Sequence, residues 1–98
     1  MPRVLTAARA RVAAEHEAEY LAILEVLARR RRARGPHLWV FRARDEAQAF
    51  LEFREGADDA ALEPADAEEA ALEARLAVLA TYDASTRHAR WDEIPAAG

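Results

Sequence analysis

The 98-residue chain contains no cysteine, no lysine and no asparagine. Without cysteine it has no disulfide framework, no thiolate nucleophile and no zinc–thiolate site. Without lysine it has no Schiff base and no Walker-type phosphate lysine, and without asparagine one common oxyanion donor is gone. Aromatic residues make up only 7% of the chain, and no apolar run approaches the roughly 20 residues that a membrane span requires. No charged-then-apolar leader opens the chain, because Met1-Pro2-Arg3 runs straight into alternating residues. A cytoplasmic protein without membrane partners is expected.

What is present is mostly small. Of 51 apolar residues 26 are alanine, which leaves 25 larger apolar side chains. Residues 1–98 are expected to form one domain, ordered from about residue 3 to residue 94, and its core is thin enough to favour completion by a second copy. All 14 basic residues are arginine. Residues 1–44 hold ten of them against four acids, and residues 45–98 hold four against fourteen acids. The net charge of −4 and the pI near 5.4 speak against a nucleic-acid binder. A basic half and an acidic half are instead expected to neutralise each other within the fold or across a dimer.

Periodicity gives the elements. Residues 3–12 alternate as a strand, with Val4, Thr6, Ala8, Ala10 and Val12 on one face. Residues 14–34 read as a helix, with Tyr20, Leu24, Leu27 and Ala28 on its buried stripe. Its positive end carries Glu15, Glu17 and Glu19, and its negative end carries Arg29, Arg30, Arg31, Arg32 and Arg34. Gly35 and Pro36 stop it. Residues 37–44 form a second strand in which Leu38, Trp39, Val40 and Phe41 are consecutive, as when both faces are covered. Residues 49–54 return as a third strand, with Leu51 and Phe53 opposing Phe50, Glu52 and Arg54. Asp58 and Asp59 begin a short turn, residues 66–80 form a second helix on a Leu72, Leu76, Leu79 stripe, and residues 83–85 form a loop. Residues 86–94 make the last strand, and 95–98 form a loose tail.

The order β-α-β-β-α-β is the split βαβ pattern, an α+β ferredoxin-like fold with a four-stranded antiparallel sheet and two helices on one face. Two helices cover only one face of such a sheet. A second sheet is the economical cover for the other, which gives a homodimer in the form of a dimeric α+β barrel.

The chain resembles the dimeric α+β barrel superfamily, and within it the antibiotic-biosynthesis-monooxygenase-like group. The likeness rests on a leading strand ending at Arg9-Ala10-Arg11-Val12, an acidic helix with Glu19-Tyr20-Leu21, and the segment Arg34-Gly35-Pro36-His37-Leu38-Trp39 leading into the second strand. The hairpin from Asp45 to Gln48 and the strand Phe50-Leu51-Glu52-Phe53 complete it. The resemblance implies the fold and the dimer. It transfers no catalytic residue, because that group typically places asparagine, tryptophan or histidine around its pocket. Asparagine is absent here, and residues 54–64 hold neither tryptophan nor histidine.

Candidate chemistry is sparse. His16, His37 and His88 are the only histidines, and none forms a metal-ligand spacing with another, so neither a metal nor a cofactor is expected. The arginine run from Arg29 to Arg34 reads as a solvated helix end. Arg44 is expected to point outward, and the orientation of Arg9 and Arg11 stays open. Glu52, between Leu51 and Phe53, needs a cation, for which Arg9 or Arg42 is the natural candidate. Ser85 and Thr86 have no adjacent base. If a small molecule binds, it is expected between the helices and the sheet, with Tyr20, Leu24, Trp39, Phe53 and Trp91 as apolar lining. Arg9, His37, Glu52 and His88 supply polar contacts. Strand parity forbids all nine from sharing one cavity. The expected function is a ligand-binding or non-catalytic dimeric module for a small hydrophobic or aromatic molecule. The alternatives are a cofactor-independent monooxygenase-like or isomerase-like enzyme and a protein that acts through its charged helices, and catalytic residues stay unassigned.

Overall fold

The computed structural model describes residues 2–95; the end of the tail expected to be loose, 96–98, lies outside the described residues. Strand β1 spans Val4–Val12 and buries every second residue from Val4 to Val12, while Arg9 and Arg11 on the other face are exposed. Its chain then tightens into a 3-10 turn, Ala14–His16, before helix α1, Glu17–Arg32. The helix therefore begins three residues later than the periodicity suggests, and neither Ala13 nor His16 offers a side-chain cap to the free N–H groups. It ends where Gly35 adopts φ +119, a conformation open to glycine. Tyr20, Ile23, Leu24 and Leu27 form its buried stripe.

Arg31 overturns part of the reading of the arginine run. It stands four residues beyond Leu27, on the same buried stripe, and its relative exposure is 0%. Its neighbours Arg30 and Arg34 are also engaged, by Asp66, Glu68 and Glu69 at the start of the second long helix. The basic and acidic halves of the chain meet here.

Strands β2 (His37–Arg42) and β3 (Ala49–Gly56) form an antiparallel hairpin. Helix α2, Ala67–Leu79, is started by Asp66, whose carboxylate accepts from the Glu69 N–H. A short turn before it, Asp59–Leu62, is capped in the same way by Asp58. β4 (Ala80–Tyr82) follows α2 directly, and the sheet order is β2-β3-β1-β4 with every pair antiparallel. This is the ferredoxin-like α+β arrangement, with both long helices on the face that holds Leu38, Phe50 and Ala10.

The last strand departs from expectation. Instead of one run over 86–94 there are β4, a four-residue helix α3 (Ala84–Arg87), and β5 (Arg90–Asp92). β4 pairs with Ala10–Val12 and β5 with Val4–Thr6, so together they occupy the fourth-strand position along β1. The break starts at Asp83, whose carboxylate accepts from both the N–H and the hydroxyl of Ser85 and so turns the chain out of the ladder. The ladder is patched where the chain leaves: Asp83 N–H donates to the Arg9 carbonyl, and Thr86 Oγ1 accepts from the Arg9 N–H.

The outer face of the sheet is not covered within one chain. Trp39 is 46%, Phe41 55% and Trp91 61% exposed. No helix among the described residues is long and apolar enough to cross a membrane.

Candidate functional site

Glu52 sits at the centre of β3 and shares its inner face with Phe50 and Arg54. It is fully buried, so its charge must be answered locally. Tyr20 from α1 and Tyr82 from β4 both donate to Oε2, at 2.6 and 2.8 Å. Arg54 donates to Oε1 at 3.0 Å. The Tyr20 ring also packs on Phe50, with centroids 5.1 Å apart.

The charge network continues away from Glu52. Arg54 also binds Glu73 of α2, and Glu73 accepts from Arg31 Nη2 as well. Arg31 gives Nη1 to the Leu62 carbonyl, and its Nε lies 3.5 Å from Glu69, which also accepts from Arg34 at 2.9 Å. The Nε atoms of Arg30 and Arg31 lack hydrogen-bond partners, yet each faces a Glu69 oxygen within ion-pair distance. Positive and negative groups thus alternate from Glu52 to Arg34 under the helices.

The electrostatics make this a proton-holding site. Burial pushes both phenols well above the ordinary tyrosine range, and the charge of Glu52 and its hydrogen bonds push them further, so both stay protonated donors. Burial works against the charge of Arg54, but Glu73 and Glu52 outweigh it and hold its pKa above the usual arginine value. Arg31 is shifted the other way, by burial and then by the nearby charge of Arg54. Burial resists ionisation of Glu69, yet hydrogen bonds from Arg34 and the Ala65 N–H keep its pKa below the ordinary range.

A cavity of about 200 Å³ opens beside this cluster. Glu52, Arg54, Glu73 and Tyr82 form one wall, Thr6 and Ala8 the sheet floor, Leu62 and Pro64 an apolar side, and Arg87, His88 and Arg90 the rim. A larger cavity of about 600 Å³ lies at the other end of the sheet, near Arg9, Arg11, Phe41 and Leu51, and Tyr82 borders it as well.

The structure brings together three of the residues named from sequence: Tyr20 bonded to Glu52, and His88 on the rim of the cavity that Glu52 lines. The other six lie elsewhere. His37 and Trp39 are stacked on the outer face, 5.1 Å apart, with His37 Nδ1 3.1 Å from Glu55. Trp91 pairs opposite Leu5 and is exposed. Arg9 pairs opposite Leu51, is exposed, and borders the larger cavity. Leu24 is in the helix-side core, and Phe53 stands on the outer face in edge contact with Phe41.

The cation at Glu52 is Arg54, neither Arg9 nor Arg42. Arg9 has the wrong parity, while Arg42 lies over the Phe50 ring and pairs with Glu17. Sequence reasoning also missed Tyr82, Glu73, Arg31 and Arg87. Usable signals existed for Arg54, which stands two residues from Glu52 on one strand face, and for Arg31, which stands four residues beyond Leu27 on one helix face. Among the described residues, no group of three or more His, Cys, Asp and Glu side chains is placed to hold a metal ion.

No protein-family model matches the chain. No curated protein is significantly similar to it. Two solved structures share its fold. One is a conserved protein of unknown function from Bacteroides thetaiotaomicron, described as a possible oxidoreductase, with a TM-score of 0.77 at 11% identity over 93% of this chain and 97% of that one. The other is SnoaB, a cofactor-independent oxygenase from Streptomyces nogalater, with a TM-score of 0.64 at 19% identity over 85% of this chain and 88% of that one.

Proposed function

We propose that this chain is a homodimeric, cofactor-free, small-molecule-binding protein whose ligand occupies the cavity beside Glu52. The observation that carries the reading is a cavity whose wall holds a fully buried carboxylate already satisfied by two phenols and a guanidinium. A general base needs a free lone pair and a pKa near the working pH. Glu52 offers its oxygens to three donors, and the phenols beside it are pushed away from neutral pH. The phenols keep their protons, and the carboxylate they hold is engaged as an acceptor, an arrangement that orients a guest. A thermal-shift panel of small phenols, aromatic acids and apolar alcohols is expected to raise Tm for at least one class, and Glu52→Gln is expected to abolish that rise. A flat panel sinks the reading.

The dimer belongs to the same proposal. Trp39, Phe41 and Trp91 stand exposed on the face opposite the helices, joined by the half-buried Leu51 and Phe53. An apolar sheet face of this kind calls for cover, and a second copy presenting the same face supplies it. Light scattering at low micromolar concentration is expected to give twice 10.9 kDa. A folded monomer would refute it.

A second reading, a cofactor-independent oxygenase acting on a small aromatic substrate, draws support from the fold shared with SnoaB and from Tyr82 reaching the cavity wall. Oxygen uptake with small phenols, lost in Tyr82→Phe, would favour it over simple binding.

A further inference from the structure

From the charge pairing around the Glu52 cavity, we infer that its guest is a compact anion: a monocyclic aromatic or alicyclic molecule carrying one carboxylate, which Arg87 receives. This rests on the binding reading above and specifies its ligand class. Three carboxylates border the cavity, and each is already neutralised. Glu52 is held by Arg54 and the two phenols, Glu73 by Arg54 and Arg31, and Glu63 by Arg90. Of the bordering arginines, Arg54 is engaged on both sides, and Arg90 faces Glu63 and Asp59. Among the described residues, Arg87 has no carboxylate within ion-pair distance. Its guanidinium carbon lies 4.5 Å from the centroid of the Tyr82 ring, a contact that fixes the side chain at the rim without consuming its hydrogen-bond donors. Arg87 is therefore the bordering cation left without a carboxylate partner, and its planar guanidinium suits a bidentate carboxylate.

Size and polarity set the rest of the guest. The space is about 200 Å³. A cavity of about 150 Å³ accepts benzene, so one ring with one substituent fits. Ala8, Leu62 and Pro64 offer apolar contact to the ring, and the Thr6 hydroxyl and the His88 imidazole offer polar contact.

Calorimetric titration of the full chain with benzoate, phenol and benzylammonium tests this, using wild type, Arg87→Gln and, as a control on the opposite sheet face, Arg9→Gln. Circular dichroism confirms that the variants fold, and Arg87→Lys serves as a second variant that retains the charge. Benzoate is expected to bind most tightly and to lose about tenfold or more in affinity in Arg87→Gln, with partial recovery in Arg87→Lys and no change in Arg9→Gln. Phenol binding is expected to be the same in all variants. Equal binding of benzylammonium or phenol and benzoate, or no effect of Arg87→Gln, overturns the anion assignment and leaves the cavity a binding site. Failure of all three probes overturns the binding reading along with it.

Discussion

The two faces of one sheet invert the usual arrangement of side chains. Under the helices lie Glu52, Arg54, Thr6 and the buried ends of Arg31 and Glu69, while Trp39, Phe41 and Trp91 stand on the open face. The hairpin β2–β3 supplies Glu52 and Arg54 to one face and Trp39 and Phe41 to the other, and strand parity separates them. Alanine explains how charge fits inside. Ala8 and Ala10 on β1 leave room above the sheet that larger residues would fill, and long polar side chains take it. The covered face adds specific charge pairing, which is costly to break, to its apolar core, and the open face offers area, which matters only once something covers it.

If that distinction is right, the largest effect belongs to Arg31. Arg31→Met keeps the volume and removes the charge, leaving Glu73 with Arg54 and Glu69 with Arg34. Loss of one partner from a buried ion pair costs about 3–5 kcal/mol, and the lower end applies where partners remain. Urea unfolding checks it. A neutral or stabilising result would mean that the network confers specificity and not stability.

Tyr20→Phe comes next. It removes a hydrogen bond to a buried carboxylate while leaving the Phe50 contact, so a loss of about 1.5–3 kcal/mol is expected. Tyr82→Phe makes the internal comparison, since Tyr82 is less buried and borders the cavity. Equal costs would show that the cavity is no wetter than the core.

On the open face the expected effect is on assembly and not on the single chain. Trp39→Arg is expected to convert the proposed dimer into a folded monomer with unchanged far-UV circular dichroism, and to cost about 1 kcal/mol or less within each chain, as for a surface change. The dependence of wild-type Tm on protein concentration would then disappear. A loss of several kcal/mol, independent of concentration, would instead place Trp39 in the core of the single chain and erase the contrast between faces.

Why the element order was legible and the charge pairing beneath the helices was not follows from the nature of each signal. Alternation in β1 and β3, the stripe from Tyr20 to Leu27, and the stop at Gly35 are local, and they carried the element order into the right fold. Which charges meet is a long-range fact. Glu52 finds Tyr20 and Tyr82 about thirty residues away on either side, and Tyr82 belongs to a three-residue strand too short for alternation to show. The broken fourth strand turned on Asp83, an N-cap signal that also reads as an ordinary loop residue. Arg31 was the recoverable miss. Its spacing from Leu27 placed it on the buried stripe, but the run of like charges around it suggested solvent.

The smallest expected effect is a pH dependence on the open face. Glu55 stands there with its side chain 19% exposed, bonded by Arg3 through Nε and Nη2 and approached by His37. The Arg3 hydrogen bonds lower its pKa; partial burial opposes them and His37 adds to them, and the result is about 2, against 4.5 for an ordinary glutamate. The folded-state value lies below the unfolded one, so the charged form is the stabilised form. Its contribution is fully present above pH 4.5 and is lost as the pH falls from there through about 2. Solvent screening limits the amount to about 1 kcal/mol. Chemical unfolding of wild type and Glu55→Gln from pH 7 to pH 2 is expected to give two curves separated by a constant amount down to pH 4.5 and converging below it. Curves that stay parallel to pH 2 would show that the Arg3–Glu55 pair contributes nothing to folding. The open face would then be held by its aromatics alone, a sharper division between the two faces than the one drawn here.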